Sequence, residues 1–345
     1  MAYLIGTDEA GYGPNFGPLV ISATLWEAPD DVGGEDLFDR LSHVITPELR
    51  KKGRETGDRP LMPERPGGCF AHKGPVPLFR RVVMADSKKL YTPDKGLRHL
   101  ERGLWPALGL MGRCPRTWRD VWRALAPEAL DSMQAVPWYA GHDGPAPSAC
   151  DAGEIEPLAD LLRSGMAAAG VRLLAVRSRA VFAHEFNDLI DRHGSKGAAL
   201  SHETLALAAA MIEPLPAAPI SLICDKHGGR NCYGALLAEH FPEWLVEVRG
   251  EGRQRSIYRF GPADRRVEVC FRVKAESCLP AALASMASKY LRELAMQAFN
   301  EFWRRRVPGL QPTAGYPLDA KRFRADIAET QRQLHISDRV LWRMR

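Results

Sequence analysis

Four acidic side chains, Asp8, Glu9, Asp225 and Glu276, each stand at or just past the end of a short apolar run. Residues 3–7 and 220–224 read as buried strands. Val267, Val269, Phe271 and Val273 alternate with polar neighbours, as one face of a third strand would. Three distant segments can therefore deliver four carboxylates to one edge of a sheet. Packed together without a counterion they repel, and some must protonate. Divalent cations remove that cost, and all-oxygen ligands suit Mg²⁺ or Mn²⁺ rather than zinc. Two such ions roughly 3.5–4 Å apart would activate a water and stabilise the leaving oxygen in phosphodiester cleavage.

Asp8 and Glu9 are neighbours, and successive strand side chains point to opposite faces, so both serve one site only if the pleat ends there. Gly11, Gly13 and Gly17 follow. They allow backbone angles closed to other residues, so the chain can turn sharply and leave peptide groups open to a ligand.

Asp8-Glu9-Ala10-Gly11-Tyr12-Gly13-Pro14, followed by Gly17-Pro18-Leu19-Val20-Ile21, resembles the opening of ribonuclease HII, the type 2 ribonuclease H. Further marks of that family stand in the same order: Asp86-Ser87-Lys88-Lys89-Leu90, Asp225 closing a strand, and Val273-Lys274-Ala275-Glu276. Ala284-Ser285-Met286-Ala287-Ser288-Lys289 and Gly315-Tyr316-Pro317 complete the set. Two positions depart from the pattern. Tyr12 stands where the family carries arginine or lysine, and Glu276 stands where it carries aspartate.

The resemblance implies an α/β fold, a ribonuclease H-like mixed sheet flanked by helices, with Asp8, Glu9, Asp225 and Glu276 as catalytic and metal-binding residues. It implies two Mg²⁺ or Mn²⁺ ions, and cleavage of RNA in an RNA/DNA hybrid or at a ribonucleotide embedded in duplex DNA. The amides of residues 11–13, Tyr12 among them, would sense the 2′-hydroxyl that tells RNA from DNA. Lys88 and Lys89 would meet phosphates, Ser285 and Lys289 would reach the same strand from one helix face, and Tyr316 would pack on a sugar. Two alternatives remain open: a non-catalytic nucleic-acid-binding protein on the same fold, and a related nuclease acting on structured DNA.

The rest of the chain must position these residues. At 345 residues it holds one large domain or two ordinary ones, and 45% hydrophobic content is that of a globular protein. No apolar run reaches the roughly 18 residues of a membrane span, and no signal pattern opens the chain. Seven cysteines without a Cys-x-x-Cys pair argue against a disulfide framework or a zinc site. A monomer in the reducing cytoplasm, without membrane contact, is the expectation. A net charge of +5 is mild, so basic residues must cluster to grip a polyanion.

The catalytic domain is expected over residues 1–318, interrupted by insertions at about 27–80, 106–152 and 230–262. Residues 319–345 then form a helix and a basic tail. The first insertion carries a basic run at 50–54 and a helix near 35–44. The second mixes Trp118, Trp122, Trp138 and Tyr139 with Arg113, Arg116, Arg119 and Arg123, which reads as a small satellite core or as a base-stacking platform. Helices are expected from Thr92 to about Trp105, over 154–169, 182–192 and 201–212, from an Asn231 cap to His240, and from Pro280 to about Arg306. Residues 194–197 form a link, and 171–176 a strand.

Overall fold

The computed structural model describes residues 1–49 and 81–344. Nine strands run in chain order: β1 (Ala2–Ala10), β2 (Leu19–Ala28), β3 (Ile45–Thr46), β4 (Val82–Val83), β5 (Arg172–Val181), β6 (Ile220–Asp225), β7 (Glu247–Gly250), β8 (Arg255–Phe260) and β9 (Val267–Arg272). The helices between and after them are α1 (Leu37–Arg40), α2 (Ser87–Leu90), α3 (Arg98–Leu110), α4 (Trp118–Leu125), α5 (Ala129–Gln134), α6 (Pro137–Ala140), α7 (Ala152–Ala169), α8 (Ala183–His193), α9 (Lys196–Ile212), α10 (Gly234–His240), α11 (Leu279–Arg304), α12 (Pro317–Gln333) and α13 (Asp338–Leu341).

Seven strands form one mixed sheet in the order β5-β2-β1-β6-β9-β8-β7, and β3 pairs with β4 apart from it. This is the mixed α/β sheet flanked by helices that the sequence implies. β1, β6 and β9 lie parallel at its centre, with Thr7 beside Cys224 and Asp225 beside Arg272. The three strands therefore end at one edge, where the side chains of parallel strands commonly build a site.

Strand alternation sorts the two faces. Leu4, Val20 and Trp26 pack with α11, α3 and α7 in the larger core. Tyr3, Ile5, Ala23 and Leu25 pack with residues of α9 and α10 on the other side. α11 approaches β1 so closely that a Cβ on Gly6 would lie 2.2 Å from the backbone nitrogen of Ala281. Thr24 locks the same junction by donating its hydroxyl to the Pro280 carbonyl at 2.7 Å.

Several local expectations are corrected. β1 does not stop at residue 7: its pairing with β2 continues through Asp8, Glu9 and Ala10, and the positive φ comes only at Gly11. The helix near 35–44 is a single turn, Leu37–Arg40. Thr92 and Pro93 form a turn, and the helix starts at Arg98 and passes Pro106 to Leu110. α9 starts at Lys196, because Ser195 accepts from the Ala198 amide and so supplies the cap expected of Ser201. α10 starts at Gly234 rather than after Asn231. β9 ends at Arg272, leaving Val273 41% exposed.

The stretch 106–152 carries α4, α5 and α6, and its four aromatics are all buried in the larger core, which rules out a base-stacking platform. The tail is not a free basic arm. Arg324 pairs with Asp338, Arg339 with Asp188 and Asp191, and Arg343 is buried. The basic run at 50–54 and Arg345 lie outside the described residues.

Candidate active site

The strand ends bring the acids into one electrostatic neighbourhood. Asp8 lies one step past the last β1–β6 pair, so the parallel register sets it beside Asp225. Glu276 follows β9 by four residues, in a one-turn 3₁₀ helix, Ala275–Ser277. The chain reaches it through Lys274, a non-glycine residue at φ 60°. Such a conformation is costly for an L-residue and persists only where the surroundings enforce it. Here the Ala275 amide donates to Asp225 Oδ1 at 3.3 Å, tying this turn to the end of β6.

Asp8 and Glu9 keep some surface accessible, yet their carboxyl groups sit deep among protein atoms. Burial raises Asp8 well above the ordinary carboxylate value, and the charges of Glu9 and Asp225 push further in that direction. Glu9 is raised to about 7 by burial and by Asp225, against the pull of Lys88. Burial also raises Asp225, although the amides of Ala275, Lys226 and Lys274 favour its ionised form. Glu276 is raised by burial, then by Asp225 and Asp86. Among the described residues, the cation that answers them is Lys88. Burial would lower Lys88, but Asp86, Asp8, Glu276 and Asp225 together hold its ammonium above the usual lysine value.

The pleat still separates the two neighbouring acids. Asp8 shares the α11 face with Leu4, whereas Glu9 shares the opposite face with Ile5. Among the described residues, no three histidine, cysteine, aspartate or glutamate side chains converge closely enough to hold a metal ion. The acids repel one another across the strand ends without forming a finished ligand cage.

Ser285 is 2% exposed and lies inside this junction. Its Oγ accepts from the Ser87 amide at 3.3 Å and lies 3.0 Å from Ser87 Oγ, while a hydrogen bond to Asp8 favours that acid's ionised form. It joins α2, which carries Lys88, to β1. Lys89 is exposed on the same turn. Lys289 pairs with Glu293 at 2.5 Å and lies 4.4 Å over the Tyr91 ring. Tyr316 is 57% exposed, and its ring stands 3.8 Å from where a Cβ on Gly13 would be. The Tyr12 hydroxyl faces Gly228 and Gly197, with the Lys196 ammonium 5.1 Å from its ring centre. Gly11 has φ 90° and Gly17 φ 78°, whereas Gly13 does not need a positive φ.

Sequence reasoning passed over four residues around the site. Ser288 donates to the Asp8 carbonyl at 2.9 Å and lies 2.8 Å from Ser22 Oγ, which in turn contacts Ser178 at 2.7 Å. Asp86 caps α2 by accepting from the Lys88 amide at 2.9 Å. Arg292 is buried and donates to the carbonyls of Pro18 and Ala314 at 3.0 Å and of Phe16 at 3.4 Å. Arg343 donates to the carbonyls of Tyr12 at 3.1 Å and Gly17 at 3.3 Å. Ser288 and Asp86 stand inside quoted motifs and were within reach of the sequence. Nothing local marks the two arginines, since their partners are backbone carbonyls.

No family model and no curated protein matches the chain. Among solved structures, a chain of the PCNA:RNase HII complex from Archaeoglobus fulgidus superposes with a TM-score of 0.40 at 13% identity, over 99% of this chain and 94% of that one. Ribonuclease H2 from Pyrococcus horikoshii OT3 gives 0.38 at 14%, over 98% and 92%. Aquifex aeolicus RNase H3 gives 0.36 at 13%, over 98% and 70%. Similarity this distant assigns no activity.

Proposed function

We propose that the chain is a metal-dependent endonuclease cutting the RNA strand of RNA/DNA hybrids, or duplex DNA at an embedded ribonucleotide. The observation that carries this reading is the edge where β1, β6 and β9 end. It gathers Asp8, Glu9, Asp225 and Glu276, all raised above ordinary carboxylate values, around the ammonium of Lys88. The donor set fits Mg²⁺ or Mn²⁺ chemically: it is all oxygen, and it lacks the positive charge that would let four acids ionise together. Bound there, two such ions would supply an activated water and stabilise the oxygen that leaves.

The chain's own residues have separate tasks in this reading. The four acids hold the ions, Asp8 from the α11 face of β1 and Glu9 from the opposite face, both close enough to feel the Asp225 charge. Asp86 and Ser285 fix α2 so that Lys88 meets a phosphate at the same edge, with Lys89 and Lys289 as further phosphate contacts. The exposed Tyr316 ring beside Gly13 offers a flat apolar surface to a sugar, and the amides of residues 11–13 meet its 2′-hydroxyl. Tyr12 keeps a hydrogen-bonding hydroxyl but not the cation of the resembled family.

Among the described residues no finished ligand cage forms, and a second reading stands beside the first: a binding protein on the same fold that does not cleave. One assay separates them. Hybrid, single-ribonucleotide duplex and branched DNA are incubated with Mn²⁺, Mg²⁺ or EDTA. The proposal expects cleavage of the first two, requiring metal. Asp8→Asn or Asp225→Asn then loses on the order of a thousandfold in rate, because contact with a metal ion is worth several kcal/mol in the transition state. Intact hybrid under both metals, with binding that weakens steeply with salt and ignores EDTA, establishes the binding protein instead. Cleavage confined to branched DNA moves the chain to a different nuclease class.

A further inference from the structure

Arg343 lies far along the chain from the glycine-rich loop, yet it is built into that loop. It is 1% exposed, and among the described residues it has no carboxylate partner. Its guanidinium donates to the carbonyls of Tyr12 and Gly17, and its flat face lies 4.1 Å from the Phe186 ring centre. Its backbone closes a two-way bridge: the Arg343 amide donates to the Asn15 carbonyl at 2.9 Å, and Asn15 Nδ2 donates to the Arg343 carbonyl at 3.0 Å. The flanking residues are pinned as firmly. Asn187 of α8 donates to the Trp342 carbonyl at 2.9 Å and accepts from the Met344 amide at 2.7 Å. Trp342 meets Phe16 edge-on at 5.1 Å.

The loop side shows how little room the arrangement leaves. A Cβ on Gly17 would lie 2.8 Å from Arg292 Nη1, and one on Gly11 2.9 Å from Arg292 Cδ. Two buried arginines thus grasp residues 12–18 from beneath, Arg292 from α11 and Arg343 from beyond α13. Of these two, Arg343 takes the carbonyl of Tyr12. In a trans peptide the carbonyl of one residue and the amide of the next point in opposite directions. Drawing the Tyr12 carbonyl toward the buried Arg343 therefore turns the Gly13 amide the other way, and Gly13 is exposed. Among the described residues the guanidinium Nε has no partner, so this placement leaves a buried donor unmet, a cost that general stabilisation would not favour.

We propose that Arg343 is a positioning residue that aims the Gly13 amide at the substrate's 2′-hydroxyl by holding the Tyr12 carbonyl. This rests on the reading of the site as a ribonucleotide-directed nuclease. It adds a specificity determinant supplied by the segment that follows α13.

Two measurements on the full-length chain test it, one independent of activity. Hydrogen exchange of residues 11–17 is compared in wild type, Arg343→Ala and Arg343→Lys. The lysine variant keeps the cation and the packing stem but cannot fork to two carbonyls. Exchange at Asn15, whose amide donates to the Gly315 carbonyl at 2.7 Å, should rise about tenfold or more in both variants, while β1 and α11 stay protected as in wild type. In the cleavage assay, KM for the ribonucleotide substrate should rise about tenfold with kcat held within about threefold, because the acids are untouched. Added guanidinium should lower the KM of Arg343→Ala again.

Unchanged exchange at Asn15 overturns the proposal. So does faster exchange spread equally over β1 and α11, or a fall in kcat with no change in KM, either of which marks a merely structural residue. If wild type cleaves no ribonucleotide substrate, the nuclease reading fails, whereas the exchange result still decides whether Arg343 orders the loop.

Discussion

The four acids are held in a state that costs the metal-free protein stability, and this can be measured without substrate. Glu9 titrates near 7 in the folded chain against an ordinary 4.5, and Asp8, Asp225 and Glu276 are shifted the same way. The folded state therefore binds more protons than the unfolded state between those values. The contribution is fully present below about pH 4.5 and is lost as pH rises through about 7. For Glu9 alone this is on the order of 3 kcal/mol. Metal-free melting temperature should fall between about pH 5 and about pH 8, and Mn²⁺ should reverse the fall, since ions bind the ionised acids of the folded state. Asp8→Asn removes one of the repelling charges. At about pH 8 without metal it should raise stability by on the order of 1 kcal/mol or more, although it removes cleavage. A metal-free melting temperature that climbs with pH over this window would show that the acids are not crowded.

At the scale of elements, the junction of β1 and α11 holds the catalytic edge in register. Gly6 sits where the start of α11 crosses the strand, and an added Cβ would lie 2.2 Å from Ala281 nitrogen and 2.3 Å from the Pro280 carbonyl carbon. Backbone cannot rotate away as a side chain can. Gly6→Ala should therefore cost about 3 kcal/mol or more by denaturant unfolding, and should lower metal affinity as Asp8 moves with the strand. A loss under about 1 kcal/mol would mean that the helix shifts freely.

That junction also shows what the sequence could and could not convey. The apolar runs announced β1, β6 and β9 and the acids at their ends, because strand periodicity and a terminal carboxylate are local signals. The extension of β1 through Ala10 was hidden, since the pairing that sustains it comes from β2. The cap of α9 at Ser195 lay inside a stretch whose glycines look like a link. Arg292 and Arg343 could not be read at all, as each bonds carbonyls of a loop hundreds of positions away.

For the whole molecule, the decisive matter is whether residues 106–152 are an ornament or part of the core. Prolines, glycines and arginines among aromatics made this stretch look separable. In the structure Trp138 meets Phe299 edge-on at 5.1 Å and lies tilted against Trp303 at 6.3 Å, both on α11, and Trp118 donates its indole N–H to the Leu294 carbonyl at 3.2 Å. α11 carries Ser285, Ser288 and Arg292 on its opposite reaches, so the segment braces the helix that braces the site. A satellite cluster would unfold alone and leave the sheet unaffected. A core segment must instead unfold with it, because its aromatic area is shared. Trp138→Ala should cost about 3–5 kcal/mol, the range for a buried large aromatic, in a single transition seen alike by far-ultraviolet circular dichroism and tryptophan fluorescence. Two separated transitions, with the sheet melting at the wild-type temperature, would return the segment to the status of an insertion. It would then have no hold on the active-site helix.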